Sequence, residues 1–103
     1  MSKRINADLG SLIQKLRAKN NLSQKQVADR LGIDISLLSK IEHGERQVQS
    51  HMLKELASIF NLDYKELQIK YLNQRLFSEF GNEPYLFEAL KIYLSKEKLE
   101  YGI

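Results

Sequence analysis

The chain has 103 residues, 43% of them hydrophobic and including five Tyr and four Phe, enough for one small core, or one domain with a helical extension, and too apolar for a disordered chain. There is no Cys, which excludes disulfides, thiolate metal sites and Cys nucleophiles. The two His have no matching ligand spacing, so neither a metal nor a cofactor is expected. No apolar run approaches the roughly 18 residues of a membrane span, and Met1-Ser2-Lys3-Arg4-Ile5-Asn6-Ala7-Asp8 lacks the apolar segment of a secretory signal, so a cytoplasmic location is expected. The net charge of +3 is unevenly placed. Residues 1–50 hold nine Lys/Arg against five Asp/Glu, and residues 51–103 hold seven against eight. The basic half is the one suited to face phosphate.

A first helix is expected over about residues 8–20, where Leu9, Leu12, Ile13 and Leu16 recur at helical spacing and Asn20-Asn21 ends the run. Ser23 and Gln26 form an S-x-x-Q capping box that opens a second helix, residues 24–31, with Val27, Ala28 and Leu31 as its apolar face. Gly32 follows, where a left-handed turn is cheapest. Asp34 is expected to cap a third helix over 35–43, with Leu38 and Ile41 facing inward. Gly44 closes it, before a polar loop, Glu45-Arg46-Gln47-Val48-Gln49. Ser50 is placed as the cap of a fourth helix ending at Phe60. Asp63 and Glu66 read as a second capping box, opening a fifth helix over about 64–80. Gly81-Asn82 breaks it, and Glu83-Pro84 is expected to start a sixth helix running to about Lys98. No strand-like alternation of useful length occurs, so the fold class is all-α.

The functional signal lies in the second and third helices. Gly32-Ile33-Asp34 is too short a connection for side-by-side antiparallel packing and forces the third helix across the second, the geometry of a helix-turn-helix. Ala28 is small where the helices approach, Ile33 plugs the turn and Leu38 pins the third helix to the core. Ile35, Ser36, Leu37, Ser39, Lys40 and His43 remain on the outward side. A helix about 10–12 Å wide fits the major groove, where base edges carry a readable donor and acceptor pattern.

The segment Leu9–Phe60 resembles the Cro/repressor-like (XRE-type) helix-turn-helix regulators of phages and bacteria. The resemblance rests on Leu22-Ser23-Gln24, Val27-Ala28, Leu31-Gly32-Ile33, the run Leu37-Leu38-Ser39-Lys40-Ile41-Glu42, and Gly44. It implies a five-helix lambda-repressor-like domain whose third helix reads double-stranded DNA, usually as a homodimer on a near-palindromic operator. Carried over position by position, it places Ile35, Ser36 and Lys40 at bases, with Leu37 and Ser39 beside them. It places Gln24, Arg46 and Gln47 at backbone phosphates. Lys25, Asp34 and His43 belong to the same DNA-facing set. Arg17 and Glu42 match a pair that bridges the first and third helices in the family. Two positions depart from the pattern: Ile35 stands where Gln is frequent, and Leu37 is apolar where a polar residue is common. Base reading is therefore expected to lean on Lys40, Ser36 and DNA shape, with Ile35 available to thymine methyl groups.

The chain divides by this reading into a DNA-binding domain, residues 1–63, and a helical extension, residues 64–103. The fifth helix carries Leu67, Ile69, Tyr71, Leu72, Leu76, Phe77 and Phe80, and the sixth is apolar nearly all round, a pattern that needs burial on more than one side. Helices five and six are expected to form a homodimer interface through Leu72, Leu76, Phe80, Leu86, Leu90, Tyr93 and Leu94, with Leu99, Tyr101 and Ile103 as further candidates. The competing expectation is an interaction module, such as a DNA-binding antitoxin, whose C-terminal helices take a partner protein. Nothing points to an enzyme: no phosphate-cradling loop, nucleophile–base set or metal cluster is present.

Overall fold

The computed structural model describes residues 8–95, and all the regular structure among them is helical. In chain order the helices are α1 Asp8–Lys19, α2 Gln24–Leu31, α3 Ile35–Glu42, a single 3-10 turn Ser50–Met52, α4 Leu53–Phe60, α5 Tyr64–Phe80 and α6 Leu86–Leu94.

Apolar residues at helical spacing put one face of each of the first four helices into a common core. Leu9 and Ile13 come from α1, Val27 and Ala28 from α2, Leu38 and Ile41 from α3, and Leu53, Leu56, Ala57 and Phe60 from α4. The core continues into α5, where Leu67 and Tyr71 are buried against it, so the first half of that helix packs as part of the same body. Val48, which the sequence places in a polar loop, is also buried and ties the segment after α3 to the core.

Several helix starts differ from expectation. The Ser23–Gln26 capping box is present, with both reciprocal bonds made. Asp63 and Glu66 do not form the second box: Asp63 occupies the cap position of α5 but its side chain makes no cap hydrogen bond, and both residues are exposed, where water can satisfy first-turn N–H groups. Asp34 likewise sits at the cap of α3 without a side-chain cap bond. Ser50 opens the 3-10 turn rather than α4; the Met52 N–H donates to the Gln49 carbonyl at 3.0 Å and the α-helix begins one turn later. Pro84 lies in the turn before α6, whose first residue is Leu86; the Glu83 N–H still donates to the Phe80 carbonyl at 2.9 Å, so the turn closes back on α5 before α6 begins. The expected continuation to Lys98, and Leu99, Tyr101 and Ile103, fall outside the described residues.

Gly10 sets the distance between α1 and α3. A Cβ at this position would collide with the carbonyl oxygen of Ile41, so only a glycine lets the first turn of α1 meet the C-terminal end of α3. Gly10→Ala is expected to lower folding stability by about 1–3 kcal/mol, as overpacking does, even though alanine is the better helix former. Urea unfolding followed by circular dichroism measures this, and an unshifted midpoint would mean that α1 and α3 do not approach in this way.

Past Ser78, the end of α5 and all of α6 stand apart from this core. No residue of α6 is buried. The Cα radius of gyration is 16.2 Å and the principal extents are 48 × 27 × 21 Å, against about 13 Å for a compact domain of 100 residues. The molecule is a compact head with a projecting helical arm.

Candidate nucleic-acid interface

The turn between α2 and α3 follows from three residues. Gly32 takes the left-handed conformation, φ +72°, which a side chain would disfavour. The Ile33 N–H then donates to the Ala28 carbonyl at 3.0 Å, closing the end of α2. Asp34 is extended, φ −76° and ψ 153°, and α3 starts in a new direction. Leu38, Ile41 and Glu42 are its buried residues. Asp34, Ile35, Ser36, Lys40 and His43 are exposed, whereas Leu37 and Ser39 are half-buried.

Glu42 is the buried charged residue of the core, its side chain fully enclosed. Arg17 reaches it from α1 with two donors, Nε to Oε2 at 2.8 Å and a terminal guanidinium nitrogen to Oε1 at 3.0 Å. Gln24 adds its amide, Nε2 to Oε1 at 3.0 Å. The other terminal nitrogen of Arg17 donates to the Leu22 carbonyl at 3.1 Å. One carboxylate on α3 thus gathers α1 and the first residue of α2, and Arg17 ties in the turn between them. The hydrogen bonds from Arg17 to Glu42 hold the guanidinium above its ordinary range, partly opposed by burial and helped by the Glu42 charge. A raised pKa of this kind contributes stability that is complete below the ordinary arginine value and lost only above it, so from the arginine side the pair is insensitive to pH across the neutral range.

The residues expected to face DNA are not uniform in their freedom. Ile35 is 44% exposed, and Ser36 and Lys40 lie beside it on the same open face. Leu37 packs partly against the core, so only a portion of its side chain can reach a groove; its place in the apolar stripe of α3 explains why it is not polar. Gln24 gives one amide hydrogen to Glu42 and keeps a second for another acceptor. Lys25 pairs with Asp29 at 3.1 Å, both well exposed, an i,i+4 pair weak enough to open. His43 ends α3, its Nδ1 2.7 Å from the Ser39 carbonyl oxygen. Arg46 is exposed, and among the described residues it makes only a backbone bond, its N–H to the Lys40 carbonyl at 3.3 Å. Gln47 is half-buried and donates to the Ser78 hydroxyl of α5 at 3.0 Å. That contact, the Gln24–Glu42 bond and the Gln74–Leu9 bond described below had no local signal in the sequence, because their partners lie 18 to 65 positions apart.

A short helix held across its predecessor by a three-residue turn, locked from behind by a buried ion pair and open on a face of Ile, Ser and Lys, defines a helix-turn-helix DNA-binding protein. Residues 13–67 match the family described as Helix-turn-helix, of the XRE type, and the chain belongs to it. The chain is 34% identical over 61 residues to the ImmF control region 10 kDa protein of Bacillus phage phi105, covering 59% of this chain and 68% of that protein. It is also 34% identical over 58 residues to the propionyl-CoA carboxylase regulator of Cereibacter sphaeroides, covering 56% of this chain but spanning 13% of that protein's length. No solved structure matches significantly. The chain is a DNA-binding regulator, not an enzyme. Among the described residues no helix is long and apolar enough to cross a membrane.

Proposed function

We propose that the chain acts in the bacterial cytoplasm as a homodimeric, sequence-specific transcriptional repressor on a near-palindromic operator, inserting α3 of each protomer into the major groove. The observation that carries this reading is the pairing of an open α3 face with an arm whose large apolar side chains, among them Leu72, Phe80, Phe87 and Leu94, are exposed. One module with three outward side chains at the bases makes few base contacts. Two modules about 34 Å apart read half-sites one turn of DNA apart, and joining them makes the second half-site's binding effectively intramolecular. Lys40 suits guanine O6 and N7, Ser36 can accept from or donate to a base, and Ile35 fits a thymine methyl. Arg46, with the free N–H groups at the start of α2, suits backbone phosphates.

The test is selection from a random duplex pool at about physiological salt, where non-specific phosphate binding is suppressed. An enriched inverted repeat supports the reading. Retention without a motif replaces it with shape-driven binding, and no retention even at low salt overturns it and moves the search to a protein partner of the arm, as in an antitoxin. Lys40→Ala combined with Ser36→Ala is expected to erase about 1–3 kcal/mol of base discrimination per half-site with helical content unchanged. If the double variant selects the same motif, base reading lies elsewhere.

A further inference from the structure

Beyond carrying the apolar arm, α5 touches the DNA-binding head through two polar side chains. Leu67 and Tyr71 seat it in the core, and Gln74 and Ser78 continue the same face outward at helical spacing. The Gln74 amide oxygen accepts the Leu9 N–H of the first turn of α1 at 3.1 Å. The Ser78 hydroxyl accepts from Gln47 at 3.0 Å and faces the Arg75 carbonyl at 3.4 Å. Between these contacts lies a cleft of about 260 Å³ bordered by Gly10, Gly44, Arg46, Gln47, Gln74 and Ser78. The segment carrying Arg46 is held at its start, where the Glu45 N–H donates to the Lys40 carbonyl at 2.8 Å, and at its end, where Val48 is buried. Gln47, next to Arg46, is the point at which α5 grips it.

We propose that Ser78 is a positioning residue for DNA binding: by holding Gln47 it fixes Arg46 at the phosphate backbone, and so couples the helical arm to DNA affinity. The proposal rests on the reading of Arg46 as a phosphate contact. A flexible loop would have to order its backbone and the Arg46 side chain on binding, a cost that a braced loop has already met. Gln74 keeps the brace itself in register by tying α5 to α1 on the opposite side of the cleft.

The experiment is titration of the full chain with a labelled random-sequence duplex of about 30 base pairs between about 50 and 200 mM salt, where phosphate contacts dominate. Ser78→Ala is expected to weaken binding about two- to tenfold, the range of one net hydrogen bond, and to lower the slope of log K against log salt by up to about one unit per protomer. Ser78→Thr, which keeps the hydroxyl, should bind like the parent. In an Arg46→Ala background the Ser78→Ala effect should vanish. An Arg46→Ala variant that loses affinity and slope, combined with a Ser78→Ala effect that is absent or persists undiminished without Arg46, would overturn the brace while leaving the phosphate contact standing. An Arg46→Ala variant with unchanged affinity and slope would remove the phosphate contact, and the brace with it.

Discussion

Arg17→Ala is expected to cost about 3–5 kcal/mol of folding stability, the range for stranding one member of a buried pair. A small domain holds about 5–15 kcal/mol in total, so the loss should lower the melting temperature by well over 10 °C at about 4–8 °C per kcal/mol. The asymmetry of the pair sets the size. The Glu42 side chain is fully enclosed, whereas that of Arg17 retains 18% exposure. Without Arg17 the carboxylate keeps, among the described residues, only the Gln24 amide, a neutral donor that satisfies one lone pair and does not balance the charge. Without Glu42, the guanidinium can lean toward water on its apolar stem. Glu42→Ala should therefore destabilise less than Arg17→Ala, and Arg17→Met with Glu42→Leu should recover much of the loss, because an apolar pair of similar volume carries no desolvation penalty. Urea unfolding of the three variants gives the ranking. Equal stability of parent and Arg17→Ala would show that the pair is not compensating a buried charge. Because Glu42 belongs to α3, any Arg17 variant that still folds should also bind DNA less well than its stability alone explains.

The sequence made the head legible because its signals are local. A capping box needs Ser23 and Gln26 three positions apart, and a left-handed turn needs a glycine at 32; both are written into adjacent residues. The apolar stripes of α1 to α4 show helical spacing, and a continuous core follows from them. The bond from Arg17 to Glu42 was legible only through the family pattern, since nothing within either helix links positions 17 and 42.

Where the reading and the structure part, the cause is competition that local pattern does not contain. Asp63-x-x-Glu66 has the composition of a capping box, yet exposed carboxylates lose little by facing water instead of the backbone. Val48 sits among Glu, Arg and Gln and reads as loop, but its side chain is buried in the core beneath that loop. Pro84 can start a helix, but it also suits a turn, and it lies in the turn between the end of α5 at Phe80 and the start of α6 at Leu86. On the candidate interface, the outward face of α3 follows from its periodicity, while the commitments of Gln24 and Gln47 depend on tertiary neighbours. The half-burial of Leu37 is the clearest instance. One side chain cannot both pack against the core and lie fully in a groove, and the core takes a share of it.

The arm is where a charge substitution should have its largest effect on DNA binding. Leu72 and Leu94 are 54% and 73% exposed, so glutamate at both positions removes few contacts within the protomer, and stability should change by little more than the usual surface range of about 0.5 kcal/mol each. Leu76, Leu86 and Leu90 are half-buried and line a groove between α5 and α6, so a charge there would also loosen the arm itself and confuse the result. If two arms pack face to face, the paired glutamates of both protomers would enter one apolar seam, where an unpaired charge is strongly disfavoured. The double variant is then expected to run in light scattering at the mass of one 12.0 kDa chain, half that of the parent. Its affinity for a selected inverted repeat should fall about 10²–10⁴-fold, the advantage that linking two modules confers, while binding to a single half-site stays within about threefold, because α3, the start of α2 and Arg46 are untouched. A parent that is already monomeric would remove the dimer and leave the arm to a different protein. A dimer that survives both charges would place the seam elsewhere on the molecule. A monomer that binds the repeat as tightly as the parent would show that dimerisation does not supply the affinity.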